Sequence, residues 1–345
     1  MMDPLNHKTV LVTGAAGGIG RTVCRHLAGQ HIRVKGLVRP EDNTRGLEIH
    51  GEDLVRGSVE DTESVAKAMQ EAEAVIHCAS LLPGDAHLGK ALFHRVNMEG
   101  ALNVLREAGR QKISPVIFFS TVSVVDHFSR RITKAQLREY LENPDDPYLS
   151  SKIALEKALA RESEHFEGQI VILRPTFVYG PGNFTVWRDA LNLVTQRKMV
   201  LVGGGNACLP LLYADDLAKF ILFLLSQASG KKSFDIHVLS SAETTTMKQV
   251  FYFIADHLGI PRPKSVPYGL LSLATRIVSA LPESLRLGRL KLLTPTRLLQ
   301  YSKGYDLSGV MNPLPHGFVS SMGYQEGLAL MLEDYKRSLR PSGVS

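Results

Sequence analysis

Cysteine is scarce in this chain of 345 residues, which holds three: Cys24, Cys78 and Cys208. The number is odd, and no two form a Cys-x-x-Cys pair. That argues against a disulfide framework and a structural zinc site, and no metal is expected. Free thiols suit a reducing compartment, and the expected location is the cytoplasm. No apolar run reaches the roughly 18 residues that span a bilayer. The opening Met1–Lys8 has no apolar stretch of the signal-peptide kind. A basic tract that would follow nucleic acid is also lacking, since the cations are scattered. Lys and Arg number 40 against 34 acids, a net charge of +6. That excess suits either an anionic, phosphate-rich ligand or simple solubility. Hydrophobic residues make up 44% and charged residues 21%, enough for a sizeable core.

What is present is a strand–helix rhythm. Thr9–Val12 is a short β-branched run, followed by a helical pattern over Gly18–Ala28. Strands are expected at Ile32–Val38, Leu54–Arg56, Ala74–His77, Val116–Ser120 and Ile170–Leu173. Helices are expected at Thr62–Glu71, Asn97–Gln111, from Tyr148, and at Asp215–Gln227. Phe234–Leu239 reads as a last strand. Such alternation predicts an α/β fold, a Rossmann-type doubly wound parallel sheet. After Pro175 the rhythm fails and Gly and Pro become frequent. We therefore expect a dinucleotide-binding domain from 1–179 and 213–240. A smaller, mainly helical substrate lobe is expected from 180–212 and 241–335, with 336–345 as a tail. The apolar but charge-interrupted stretch Tyr268–Leu299 is expected to line a pocket, with a membrane surface as the other reading.

Gly14, Gly17, Gly18 and Gly20, with Ile19, lie where the first strand meets the first helix. Glycines there let the backbone turn and approach a pyrophosphate, which the helix N-terminus then attracts. The second strand ends Leu37-Val38-Arg39-Pro40. Val38 stands where an acid would grip a ribose hydroxyl, and Arg39 follows it. NADP(H) is therefore the preferred cofactor. NAD(H) stays open because Glu41 and Asp42 are near.

Tyr148 and Lys152 are spaced to share one helix face. An ammonium beside a phenol is expected to lower its pKa, making Tyr148 a proton carrier as hydride moves. Thr121 and Ser123 follow the fifth strand, and a hydroxyl there can polarise the same substrate oxygen.

With these motifs the chain resembles the short-chain dehydrogenase/reductase superfamily, whose Thr-Gly-x-x-Gly-x-x-Gly matches Thr13–Gly20. It is closest to the extended branch of epimerase/dehydratase type, over about residues 8–240, with a weaker match at 305–327. The resemblance implies Thr121 as the catalytic hydroxyl beside Tyr148 and Lys152. Val125-Asp126 departs from the branch's Tyr-Gly, so Ser123 competes for that role. It also implies cofactor contacts from Ser58, Val59, Cys78, Ala79 and Ser80, and from Pro175 and Val178. Asn97 opens an Asn-x-x-Gly helix start, to hold a water, orient Lys152 or cap the helix.

Nucleotide-sugar members of the branch carry Asn after the Arg-Pro, and an Arg shortly before the Val-Asp-Asp segment. This chain has Phe177 and an Arg-free Cys208–Leu212. The pattern looks more like the 3β-hydroxysteroid dehydrogenase and dihydroflavonol-reductase side. The expected partner is a hydrophobic secondary alcohol or ketone, with Ser123, Phe177 and Tyr179 toward it and a homodimer possible. The alternatives are a nucleotide-sugar epimerase or dehydratase with tightly held NAD, and a non-catalytic NADP-binding protein.

Overall fold

The computed structural model describes residues 8–125, 136–141, 146–183, 187–281 and 322–339, with 133, 298, 301–304 and 307. Seven strands form one parallel sheet. They are β1 (Thr9–Thr13), β2 (Arg33–Val38), β3 (Leu54–Arg56), β4 (Ala74–His77), β5 (Val116–Phe119), β6 (Gln169–Pro175) and β10 (Ser233–Leu239). Their order is β10-β6-β5-β4-β1-β2-β3. The chain thus winds outward one way from β1 and, after β3, the other way from β4. The order thus reverses between β1 and β4, and it is beyond the carboxyl ends of strands at such a switch point that these folds bind ligands.

Strand residues alternate between two cores, as the two-residue period requires. Val10, Val12, Ile76, Ile117 and Val171 face α1 (Gly18–Ala28) and α7 (Ala214–Ser226). Leu11, Val75, Val116, Phe118 and Ile170 face α2 (Thr62–Met69), α4 (Gly100–Gln111) and α5 (Pro147–Glu162). Both sheet faces are covered, which is why these strands read as unbroken apolar runs.

The second lobe has its own core. Two short strands, β7 (Phe177–Tyr179) and β9 (Leu211–Tyr213), pair outside the main sheet, as do β8 (Val200–Val202) and β11 (Lys264–Val266). With them go α6 (Arg188–Thr195), α8 (Met247–His257), α9 (Tyr268–Ala280) and α10 (Tyr324–Leu339). The crossover out of the main sheet therefore begins at Phe177, before residue 180. The final helix runs to Leu339, past the expected start of the tail. Trp187, Leu191, Leu201, Leu211, Phe251, Ile254, Leu328 and Met331 pack together there. The lobe's Leu, Ile and Val content is thus spent largely on its own interior. Leu270, Leu273 and Ile277 of α9 are 62%, 58% and 58% exposed, so this face points outward rather than into a pocket. Most of 282–300, and Asp126 and Tyr305, lie outside the described residues.

Candidate active site

The glycine loop is shaped by contacts that tolerate no side chain. Gly14 has φ +64°, and a methyl group on it would sit 2.7 Å from the Ala79 backbone. It thereby brings the end of β1 against Cys78–Ala79 after β4. Gly20 faces the Gly14 carbonyl, where a Cβ has no room. Gly18 meets the Gly182 carbonyl and the Asn183 side chain, so it packs the loop against the chain leaving β7. Asn183, missed in the sequence, donates to Thr22 Oγ1 on α1 at 3.1 Å. Arg21, also missed, clamps the loop through the Ala16 and Arg45 carbonyls at 2.9 and 3.0 Å.

Gly17 is different. It is the N-cap of α1, has an ordinary φ of −73°, and makes no side-chain cap. The first turn of α1 carries no acid. Its N–H groups and the positive end of the helix dipole are left for an anion. A dinucleotide pyrophosphate fits this cradle. Three buried polar atoms without a protein partner also lie along the adjoining strand ends: His77 Nε2, Ser120 Oγ and Thr176 Oγ1. Buried polar atoms of this kind normally have a partner, which a ligand or water can supply.

At the end of β2, Val38 is buried and Arg39 is largely exposed. Arg39 already contacts Asp42 at 2.9 Å and Glu41 at 3.4 Å. Exposed pairs of this type hold about 0–1 kcal/mol, so a phosphate can recruit the guanidinium. Ser58 caps the following turn by accepting from Glu60 N at 3.1 Å. Val59 is buried against Gly100, which places it in the core. Ile19 packs on the α1–α7 core, and Ser80 Oγ donates to the Leu81 carbonyl.

Helix α5 is started by Asp146, which accepts from Leu149 N at 3.0 Å, with Pro147 in its first turn. This fixes Tyr148 near the helix start. Leu149 and Ile153 then pack on Val124 and Val125 of the loop after β5. That packing sets the Thr121 hydroxyl near enough to the Tyr148 phenol to favour its ionised form. Thr121 Oγ1 also accepts from Ser123 N at 3.3 Å.

Lys152 Nζ lies 5.8 Å from the Tyr148 ring centroid and donates to the Phe119 carbonyl at 2.8 Å. Its pKa is pulled down to about 8 by burial, against the pull of Glu156 and then Cys78. The Tyr148 phenol is pushed above its usual value, first by burial and then by the Asp146 carboxylate, with the Thr121 hydroxyl opposing. A phenol made acidic by Lys152 was the sequence expectation. Burial acts the other way on the phenol and raises it.

Asn97 is neither a cap nor a contact of Lys152. It sits in a π-helical turn, Arg95–Glu99, of the kind often found at functional sites. Its amide accepts from Leu81 N at 2.7 Å and donates to Ser151 Oγ at 2.9 Å. Ser151 in turn donates to the Tyr148 carbonyl at 2.7 Å. Asn97 thus ties the loop after β4 to the turn that carries Tyr148. Pro175 and Val178 are buried near the carboxyl end of β6. Phe177 is half-buried against Trp187, with ring centroids 6.2 Å apart. Tyr179 was expected toward substrate, but it lies in the lobe core, edge-on to Tyr213 with Gly327 against its ring.

Among the described residues no cluster of His, Cys, Asp or Glu could hold a metal, and no helix is long and apolar enough to cross a membrane. The profile of the NAD dependent epimerase/dehydratase family matches residues 10–238. A 2-alkyl-3-oxoalkanoate reductase of Stenotrophomonas maltophilia is 26% identical, over 73% of this chain and 76% of its own. The decarboxylating sterol-4-alpha-carboxylate 3-dehydrogenase of Dictyostelium discoideum is 22% identical, over 93% and 99%. Among solved structures, the Thermus thermophilus UDP-glucose 4-epimerase complex with NAD superposes with a TM-score of 0.68, at 21% identity, over 96% of this chain and 100% of that one.

Proposed function

Since this chain belongs to the NAD dependent epimerase/dehydratase family, we propose that it is an NAD(P)-dependent oxidoreductase that interconverts an apolar ketone and its secondary alcohol. The observation that carries this is the placing of Lys152 Nζ 5.8 Å from the Tyr148 ring centroid and on the Phe119 carbonyl, at the carboxyl edge of the sheet beside the glycine loop. When bound, the dinucleotide supplies or takes up the hydride. Thr121 orients the substrate oxygen. Tyr148 gives that oxygen its proton in reduction and takes it back in oxidation. Lys152 stabilises the phenolate left behind and is the route by which the proton is restored.

The substrate class rests on two supports. The segment where nucleotide-sugar members carry an Arg for the diphosphate holds Leu209, Leu211 and Leu212 here, all buried, and no cation. In both relatives' names the oxidised carbon neighbours the carbon that bears the carboxylate. An apolar 3-oxo acid is therefore the first substrate to try.

One screen tests the reading. Purified protein is given NADPH or NADH with a 2-alkyl-3-oxo acid, a 3-oxosteroid or UDP-glucose, and coenzyme absorbance is followed. Loss of NADPH with an apolar ketone is expected. Turnover of UDP-glucose with no net coenzyme change would establish epimerase chemistry instead. Binding without turnover would favour a non-catalytic role. We assign the 2′-phosphate of NADP(H) to Arg39. Arg39→Ala should then lower the NADPH-over-NADH preference about tenfold or more, the worth of a charge-assisted hydrogen bond. An unchanged ratio would remove Arg39 from coenzyme selection.

A further inference from the structure

Glu156 and Arg174 form an ion pair with no solvent exposure on either side chain. Arg174 Nε donates to Glu156 Oε1 at 2.9 Å, and its Nη2 to Oε2 at 2.5 Å. The Tyr140 hydroxyl donates to Glu156 Oε2 at 3.3 Å, and the Arg174 guanidinium lies over the Tyr140 ring at 5.8 Å. Arg174 Nη1 has no partner. Burying two charges this completely is costly, and a buried pair is seldom present for stability alone. Its position on α5 suggests a use. Glu156 follows Lys152 by four residues, so the carboxylate and the ammonium share one helix face. Arg174 approaches from β6, so the pair is a dipole with its negative end on the lysine's own helix.

We propose that Glu156, anchored by Arg174 and Tyr140, is a positioning residue that keeps the Lys152 ammonium charged inside the cleft. This rests on reading Tyr148 and Lys152 as the reacting pair. The groups around the lysine offer little else. From β4 come His77 and Cys78. Burial holds His77 neutral, down to about 3, and holds the Cys78 thiol well up and protonated. From α5 comes Tyr148, also protonated. From the end of β5 comes the Phe119 carbonyl, and from β6 Arg174, whose charge has the wrong sign. Burial drives Lys152 toward the neutral amine, and Glu156 is the largest influence against it. A neutral amine could not stabilise the phenolate.

The link between layers adds a second element. Tyr140 bridges to Val125, and Leu141 N donates to the Val124 carbonyl at 2.7 Å. The segment that touches Glu156 is therefore stitched to the loop that carries Thr121. One carboxylate reaches the lysine through its own helix and the hydroxyl loop through Tyr140.

The test titrates Lys152 directly. The full chain is labelled with 13C-lysine, and the 13Cε signal assigned with Lys152→Met is followed against pH. The wild-type midpoint is expected near 8. In E156M/R174M both charges give way to apolar side chains of similar length, an exchange buried pairs often tolerate. There the midpoint should fall by about one pH unit or more, with the circular-dichroism melting temperature little changed. A structural pair alone would leave the midpoint in place. Glu156→Gln keeps the shape and one acceptor for Arg174, and carries the same expectation. A wild-type midpoint in whichever variant folds overturns the proposal. Collapse of both variants would also overturn it, by assigning the pair to structure alone. The titration uses neither coenzyme nor substrate, so its failure would leave the oxidoreductase reading standing, and the reverse also holds.

Discussion

Tyr148→Phe is expected to lower kcat/KM by about 100- to 10,000-fold, the usual worth of a positioned acid or base. The dinucleotide Kd should stay within about twofold. The ring remains in place in this variant. What goes is one hydroxyl, a change of about 1 kcal/mol in stability. Steady-state rates with the ketone found in the screen, together with coenzyme fluorescence titration, separate the two quantities. A rate near wild type would remove Tyr148 from the chemistry. A parallel loss of coenzyme affinity would mean that the hydroxyl shapes the cradle rather than serving the substrate. The prediction is large because no neighbour can take over. Thr121 is no acid at neutral pH, and Lys152 Nζ is turned to the Phe119 carbonyl and acts through the phenol.

Gly17→Asp should abolish coenzyme binding and leave the fold intact. Gly17 is exposed, at an N-cap, with a φ that any residue adopts. A Cβ there meets only the Gly14 carbonyl oxygen, at 3.3 Å. Aspartate is moreover a favoured N-cap, and its carboxylate would accept from the free N–H groups of the first turn. Those are the groups assigned to the pyrophosphate. The carboxylate would therefore stand where the phosphate belongs and repel it. Coenzyme affinity should fall about a hundredfold or more, the cost of losing charged hydrogen bonds at that end. The melting temperature should hold or rise slightly. Calorimetry and thermal unfolding on the same sample check both. Retained affinity would move the phosphate site away from the opening turn of α1.

Both predictions rest on features that were legible in the sequence. The strand–helix alternation, the glycine loop after the first strand and the Tyr148–Lys152 spacing are local patterns, and local patterns survive in a linear reading. What escaped depends on distant parts of the chain. Asn183 meets Thr22 across 161 positions, and Asn97 meets Ser151 across 54. The burial that raises the Tyr148 phenol was out of reach for the same reason. The i, i+4 spacing shows the lysine, but only the fold shows how deeply the phenol is buried and where the ammonium points. The apolar lobe was read as a lining for substrate, yet Tyr179, Leu201 and Leu328 are its interior. Glu156 left one usable signal: an acid one turn beyond Lys152, between Leu155 and Leu159 of the core. Its partner Arg174 lies 18 positions on, in a strand.

The most direct measurement is a crystal structure of the protein with NADP(H) and an apolar ketone or alcohol. The pyrophosphate should lie on the amides of Gly17–Gly20, with the Tyr148 hydroxyl and Thr121 sharing the substrate oxygen over the nicotinamide. A coenzyme seated elsewhere, or a Tyr148 hydroxyl turned from that oxygen, would contradict the account.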